Sequence, residues 1–516
     1  MGGRPHAGHL RISNAINIRG FPHVSIRRRT PHEALRLFAE EQGRLRAGRS
    51  RQGDHVCLRP HGLDNIHIGN ARTFLSFDII RRWLVERGYD VTFAQNLTDV
   101  DDKIIKRANE RGVAADEVST QYANAFIEVM ERFGIQEPDI RPRATQEIPA
   151  MIEMIETLIA GGHAYEAQGD VYFSVRSNKT YGEVSGRNID DLLVGARIEA
   201  GEQKRDPLDF ALWKAAKPGE PTWDSPWGPG RPGWHTECAA MVHRYLGMPI
   251  DIHGGGADLQ FPHHENECAQ AQCAWGGKFA NHWMHTGMLL VDGEKMSKSL
   301  GNFFTLKDVL DEYPADALRL LMAQTHYRSP LDFSFERLRG AAGSLERIAN
   351  TVQNLAWAAD HAPEGADTAA ELAQTAEKAR AEFEACMDDD FNTAGATGAV
   401  FGLVTAANTY LDQAQGRVDA QACRLAADVI DWGMAVLGIS LKGDGDEGLP
   451  TGLVDLAAKH GCAAADPDAA AQALLELRAQ ARREKNWPLA DAIRNDLTDL
   501  GLVIEDTAQG ARVKRA

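Results

Sequence analysis

Two short motifs constrain this chain more than anything else in it: His67-Ile68-Gly69-Asn70, and Lys295-Met296-Ser297-Lys298-Ser299 about 230 residues later. The first stands at the start of a predicted helix, where backbone N–H groups and the helix dipole favour a phosphate. Gly69 leaves room for a base, and His67 can donate to a phosphoryl oxygen. The second places two lysines among small hydroxyl residues on a loop, which suits a polyphosphate that moves. Lys298 can neutralise charge that develops only in a transition state. Taken singly, one motif is a turn glycine beside a surface histidine and the other a solvated lysine pair. Together, in this order and at this separation, they are specific.

The periodicity around the first motif gives the fold class. Phe74, Phe77, Ile80, Trp83 and Leu84 recur at helical spacing and Gly88 closes the helix. An extended run, Val91 to Asn96, follows, and Val100-Asp101-Asp102-Lys103 leads into another helix. Helix, strand and helix in this order predict an α/β catalytic domain with a Rossmann-like, doubly wound parallel sheet. At 516 residues the chain has room for about three domains of ordinary size. The catalytic domain is expected over 64–330, with an insertion at about 120–230. From about 165 that insertion is rich in Gly, Pro and Trp and holds the strand-like Val171-Tyr172-Phe173. A loop, Gly228 to Gly233, then precedes a helix carrying Cys238. An Ala-, Glu- and Leu-rich helical bundle follows over 331–440. A Gly-, Asp- and Ala-rich linker over 441–470 and a small C-terminal domain over 471–516 complete the chain.

Composition removes several classes of function. No run approaches the ~18 apolar residues of a membrane helix, and the N-terminus lacks a signal peptide's apolar core. Seven cysteines without regular spacing do not make a disulfide framework, so a reduced, cytoplasmic protein is expected. The net charge of −17 excludes a surface that is basic all over. It leaves room for a local basic face toward nucleic acid. Residues 471–516 carry eight basic and seven acidic side chains, against the acidic balance of the rest.

A second constellation carries metal chemistry. His263 and Glu267 stand four apart in Pro-His-His-Glu-Asn-Glu and share a face if helical. Cys238 lies 25 residues upstream. Thiolate, imidazole and carboxylate are all zinc ligands, and three protein ligands with one open position mark a reactive site. His264 and Glu265 are expected to support the ligands or to lie on the helix surface, and Cys268 and Cys273 to serve packing.

From Asp64 to Ala516 the chain resembles the bacterial cysteinyl-tRNA synthetases, a family of class I aminoacyl-tRNA synthetases. The resemblance runs through His67–Asn70, Asn96–Ile105, Gly233–Cys238, His253–Asp258, Phe261–Glu267, Lys295–Asn302, Asp316–Arg319 and Thr325–Phe333. It ends in Ala490–Arg494 and Glu505–Thr507. It implies activation of L-cysteine by ATP, accompanied by Mg2+, to cysteinyl-adenylate, and transfer to tRNA(Cys). His67, Lys295 and Lys298 would be the catalytic residues. ATP would be held by His67, Ile68, Gly69, Asn70, Lys295, Met296, Ser297, Lys298 and Ser299. One zinc ion per chain, on Cys238, His263 and Glu267, would take the substrate thiolate. Trp234 would line the cysteine pocket, and Asp258 would serve the amino group or the adenosine region. The family implies a monomer. The runner-up is the related ligase that joins cysteine to an aminosugar in mycothiol synthesis, which lacks the extended C-terminal region. About 180 residues follow the catalytic domain here, which favours tRNA.

One stretch departs from the family. Its fourth zinc ligand is a Cys in Tyr-Val-Cys-Gly-Pro-Thr-Val-Tyr-Asp just before the His67 motif. This chain reads His55-Val-Cys-Leu-Arg-Pro-His-Gly-Leu-Asp64, so Cys57 sits ten residues before His67, one too far, and Leu58 holds the family position. Residues 1–63 also contain 12 Arg, no Lys and four acids, a balance of +8, while the rest carries −25. A shifted reading frame over 1–63 accounts for both features. Codons for the family motif, begun one base early, encode Leu45 to Leu63 as written, and loss of one base restores the frame at Asp64. The rival reading is an Arg-rich targeting peptide over residues 1–32.

Overall fold

The helix Ile68–Glu86 begins at His67, whose extended backbone and accepting side chain make it the N-cap. It is apolar on most of its circumference, with Ile68, Phe74, Phe77, Ile80, Trp83 and Leu84 all buried, as befits a helix packed between layers. Gly88 takes φ 80° and ends it. The computed structural model describes residues 66–189, 203–296, 301–362, 370–414, 417–441, 449–507 and 510–515. Cys57, Ser297, Lys298, Ser299 and the whole aberrant segment 1–63 lie outside the described residues.

Parallel pairing dominates around this helix. Ile250–Gly256 runs parallel to Ala280–Thr286, and Leu289–Val291 runs parallel to Leu331–Phe333. Glu294–Lys295 returns antiparallel on Leu289–Val291 through the turn at Asp292-Gly293. The extended run predicted over Val91–Asn96 forms isolated bridges rather than a ladder among the described residues, with Ala94 parallel to Ile140 and Leu97, just beyond the run, parallel to Arg143. Its partner segment explains why: Pro142 has no N–H to give, and the Asp139 carboxylate takes the Phe93 N–H that a strand carbonyl would otherwise accept.

The insertion is an antiparallel sheet of four strands in chain order: Ala164–Ala167, Asp170–Phe173, Phe210–Ala215 and Gly230–Pro232. Val171, Phe173 and Trp213 pack with Met151, Met154 and Ile155 of the helix Ile148–Ala160. The chain then enters the helix Thr236–Leu246, which carries Cys238.

The described chain forms two compact units. The first runs to Gly343 and takes back 382–398 and 436–439; the second holds 344–381, 399–435 and 440–516. Within the first unit, the Trp83 indole N–H donates to Asp388, and Arg87 pairs with both Glu384 and Asp388. The buried Arg319 guanidinium joins Asp78, the Phe133 and Gly134 carbonyls and the Leu437 carbonyl. In the second unit, Gly452–Lys459, Pro467–Arg483, Trp487–Asp499 and the hairpin Leu502–Thr507/Gly510–Arg515 enclose Leu453, Leu474, Ile493, Leu497 and Leu502. The stretch 441–470, expected as a linker, is therefore one only in part. Leu453 and Leu456 put the helix Gly452–Lys459 into this core despite the Gly- and Ala-rich composition around it.

Candidate active site

His67, Gly69, Asn70, Thr73, Gly256, Asp258, Met288, Lys295 and Met296 line one cleft. The His67 Nδ1 accepts from the Gly69 and Asn70 amides at 3.1 and 3.2 Å, and the Ile68 amide donates to the Phe304 carbonyl. The first helical N–H groups are thus already used, which corrects the expectation that they would hold a phosphate. What remains is the helix dipole and the far side of the imidazole. Because Nδ1 is an acceptor, the neutral ring carries its proton on Nε2. Burial lowers the His67 pKa, while Asp258 pulls it back up. A neutral ring with an Nε2–H donor is the form this geometry holds.

The cleft depends on close backbone approach. A Cβ at Gly254 would lie 2.0 Å from the Phe77 ring, so only glycine lets the helix Ile68–Glu86 settle on the strand Ile250–Gly256. Lys295 is exposed on the return strand of the hairpin.

The second cluster meets the same strand further back, at His253. Cys238 Sγ stands 3.8 Å from His263 Nε2, and His263 Nε2 stands 2.6 Å from Glu267 Oε1, all three residues buried. His263 sits in a wide turn at Gln260–His264, and Glu267 sits in the first turn of the helix Glu265–Trp275. Ligand atoms around tetrahedral zinc stand about 3.3–3.7 Å apart, given metal–ligand bonds of about 2.0–2.3 Å. The Cys238–His263 spacing is near that range, and a small rotation of Glu267 would bring its oxygen there. The donor set therefore fits zinc. His235 Nδ1 meets His263 Nδ1 at 2.9 Å, which leaves His263 Nε2 turned toward Cys238 and Glu267. Trp234 stacks on His263 with centroids 4.5 Å apart. Asn96 Nδ2 reaches Cys238 Sγ at 3.5 Å.

The other oxygen of Glu267 is bonded to His253 Nε2, which makes His253, His264 and Glu267 a second convergent group. Full burial desolvates Glu267, yet the His263 and His253 rings hold its carboxyl well below the usual range. His264 is buried rather than on the helix surface, with Nδ1 2.9 Å from His285 Nε2. Glu265 is buried too. Its carboxylate accepts the amides of Gly182, Val184 and Ser185, which ties the turn of the insertion to the helix. Burial pushes the thiols of Cys268 and Cys273 up, the latter to about 11, so both stay protonated as packing groups. Sequence reading missed His253, Asn96 and the buried Arg72. His253 and Asn96 lay inside motifs that carried the family resemblance; Arg72 had no signal beyond its place next to the His67 motif.

A parallel sheet, a capped helix beginning at His67 and a hairpin carrying Lys295 beside one cleft define the catalytic domain of a class I tRNA synthetase. Comparison agrees: residues 53–343 match the family described as tRNA synthetases class I (C) catalytic domain. Residues 382–442 match the DALR domain, and 464–513 the cysteinyl-tRNA ligase anticodon binding domain. The methionyl-tRNA synthetase of Mycobacterium tuberculosis, at 16% identity, shares the fold with a TM-score of 0.56 over 74% of this chain and 90% of its own. The cysteine–tRNA ligase of Pelotomaculum thermopropionicum is 46% identical over 90% of this chain and 96% of its own length. That of Geobacter sulfurreducens is 48% identical over 87% and 92%. The chain belongs to the cysteine–tRNA ligase family and is an aminoacyl-tRNA ligase. Among the described residues no helix is long and apolar enough to cross a membrane.

Proposed function

We propose that this chain activates L-cysteine with ATP and Mg2+ to cysteinyl-adenylate and pyrophosphate, then transfers the cysteinyl group to tRNA(Cys). The observation that carries this reading is the strand Ile250–Gly256. His253 on it touches Glu267 of the metal cluster, and Gly256 lines the nucleotide cleft. Three residues of strand span about 10 Å, enough room to seat a small amino acid between a thiol-binding site and an α-phosphate.

Zinc on Cys238, His263 and Glu267 supplies a soft Lewis acid for a thiolate, which separates cysteine from serine better than contacts worth about 1–3 kcal/mol. Trp234 walls the side-chain pocket, and Asp258 faces the amino group or ribose. His67 donates from Nε2 to a phosphoryl oxygen. Lys295, with Lys298 three residues further along the sequence, neutralises the departing pyrophosphate. The reaction is then in-line attack by the cysteine carboxylate on the α-phosphate, promoted by positioning and charge. The anticodon-binding match at 464–513 favours tRNA over an aminosugar as acceptor. Exposed Arg482, Arg483, Lys485 and Trp487 supply a basic edge and a ring on which a base can stack. Domain roles follow as 64–330 for catalysis and 471–516 for tRNA, in a cytoplasmic monomer.

Cysteine-dependent ATP–pyrophosphate exchange followed by cysteinylation of tRNA(Cys) tests the proposal. Exchange without serine response, then tRNA charging, is expected; exchange with transfer only to an aminosugar would establish the runner-up.

A further inference from the structure

Arg72 is 1% exposed, about one turn into the helix that His67 caps. Its Nη1 donates to the carbonyls of Gly287 and Met288 at 2.9 and 3.2 Å, and its Nη2 to those of His326 and Ser329 at 3.1 and 2.6 Å. Among the described residues no carboxylate comes within ion-pair distance of it. Burial alone lowers its pKa, to about 10, so it remains charged at neutral pH.

The four carbonyls belong to two segments that matter to the cleft. Gly287, Met288 and Leu289 form one cleft wall, and Leu289–Val291 is the strand from which the hairpin bearing Lys295 springs. His326 and Ser329 lead into the parallel strand Leu331–Phe333. The two segments touch as closely as backbone allows: a Cβ on Gly287 would sit 2.4 Å from the Ser329 carbonyl oxygen, and the Leu331 amide donates to the Met288 carbonyl at 3.0 Å. Four carbonyl dipoles converging on one point repel one another, and a planar cation with several donors in a fixed fork relieves that repulsion. A lysine has the charge without the fork.

We propose that Arg72 is a positioning residue for the nucleotide, clamping the Gly287–Leu289 wall and the root of the Lys295 hairpin from behind the cleft. This rests on the reading that the cleft binds ATP. Arg72 itself is not among the residues that line the cleft. It sets where the wall stands relative to the helix Ile68–Glu86, and a displacement of about 1 Å at such a wall can cost a hundredfold in rate.

The test measures ATP binding and exchange kinetics on the full chain, unsubstituted and as Arg72→Lys, Arg72→Met and Arg72→Ala, with thermal melts and zinc content alongside. The KM for ATP is expected to rise about tenfold to a hundredfold in Arg72→Met and less in Arg72→Lys, with the KM for cysteine moving less than about twofold. Methylguanidinium added to Arg72→Ala is expected to recover part of the ATP affinity, a response that general loss of stability does not give. If Arg72→Met fails to fold, Arg72→Lys carries the comparison. An unsubstituted chain that binds no ATP overturns the cleft reading and this proposal together. An unsubstituted chain that binds ATP, with variants whose ATP and cysteine constants are unchanged or move in parallel, overturns the positioning role alone.

Discussion

Trp234 lies nearly flat on His263, ring centroids 4.5 Å apart and planes 22° from parallel. The indole therefore fixes the orientation of an imidazole whose Nε2 must point at Cys238 and Glu267. Trp234→Phe keeps a stacking face and is expected to retain zinc. Trp234→Ala frees the ring and is expected to lose about tenfold to a hundredfold in zinc affinity, with a raised KM for cysteine. Competition with a chromogenic chelator reads the affinity; equal zinc binding by both variants would sink the idea.

Metal content separates ligand from neighbour. One zinc per chain is expected by elemental analysis. Cys238→Ser and Glu267→Gln are each expected to lose at least about a hundredfold in zinc affinity, since each removes a donor from a buried site. Cys268→Ser, one residue after Glu267 and with its thiol protonated, is expected to keep the metal. Retention of full zinc by Cys238→Ser would exclude Cys238 as a ligand.

Acid should destabilise the first unit through His282. Burial first, and Lys278 second, lower its pKa from 6.5 to about 4. Below pH 6.5 the unfolded chain takes a proton that the folded chain refuses. The stabilising contribution is thus complete above pH 6.5 and is lost as pH falls toward 4, by about 3 kcal/mol in all. Denaturant midpoints measured from pH 7 to pH 4 should fall less steeply in His282→Gln; parallel curves would rule this group out as a source of the slope.

Trp487 is 54% exposed beside Arg482, Arg483 and Lys485. Trp487→Ala is expected to weaken tRNA binding by about tenfold, the lower end of a stacking contribution of about 1–3 kcal/mol per base, with cysteine-dependent exchange unchanged. Filter binding and exchange on the same preparation distinguish this from a loss at the catalytic site.

Resequencing the gene across codons 30–70 is expected to reveal one further base just before the codon for Asp64. That result would restore a Cys-Gly-Pro-Thr motif and a fourth zinc ligand. Confirmation of the written bases would leave Cys57 one residue out of register and the zinc site with three ligands.

The residues that sequence reading reached most directly are those whose partners are near in the chain. His263 and Glu267, four apart, meet at 2.6 Å, and the helix expected after His67 runs to Glu86. The cap at His67 was harder to foresee, because nothing in the residue type says that Nδ1 will consume the Gly69 and Asn70 amides. Contacts that depend on sheet register were out of reach. His253 meets Glu267 because a parallel strand puts it there, and Arg72 meets four carbonyls more than two hundred residues away. The run Val91–Asn96 has strand chemistry, but its neighbour contains Pro142 and cannot form a regular ladder.

The catalytic unit does not end where its sequence motifs do. Trp83, Arg87 and Arg319 find Asp388, Glu384 and the Leu437 carbonyl far down the chain. On a translating ribosome, these three buried or half-buried polar groups must wait without those partners until more than a hundred further residues have emerged. The far end of the helix Ile68–Glu86 and the buried Arg319 therefore gain their last polar partners only late in synthesis. A chain released early, with every catalytic motif already made, would still carry an unfinished core.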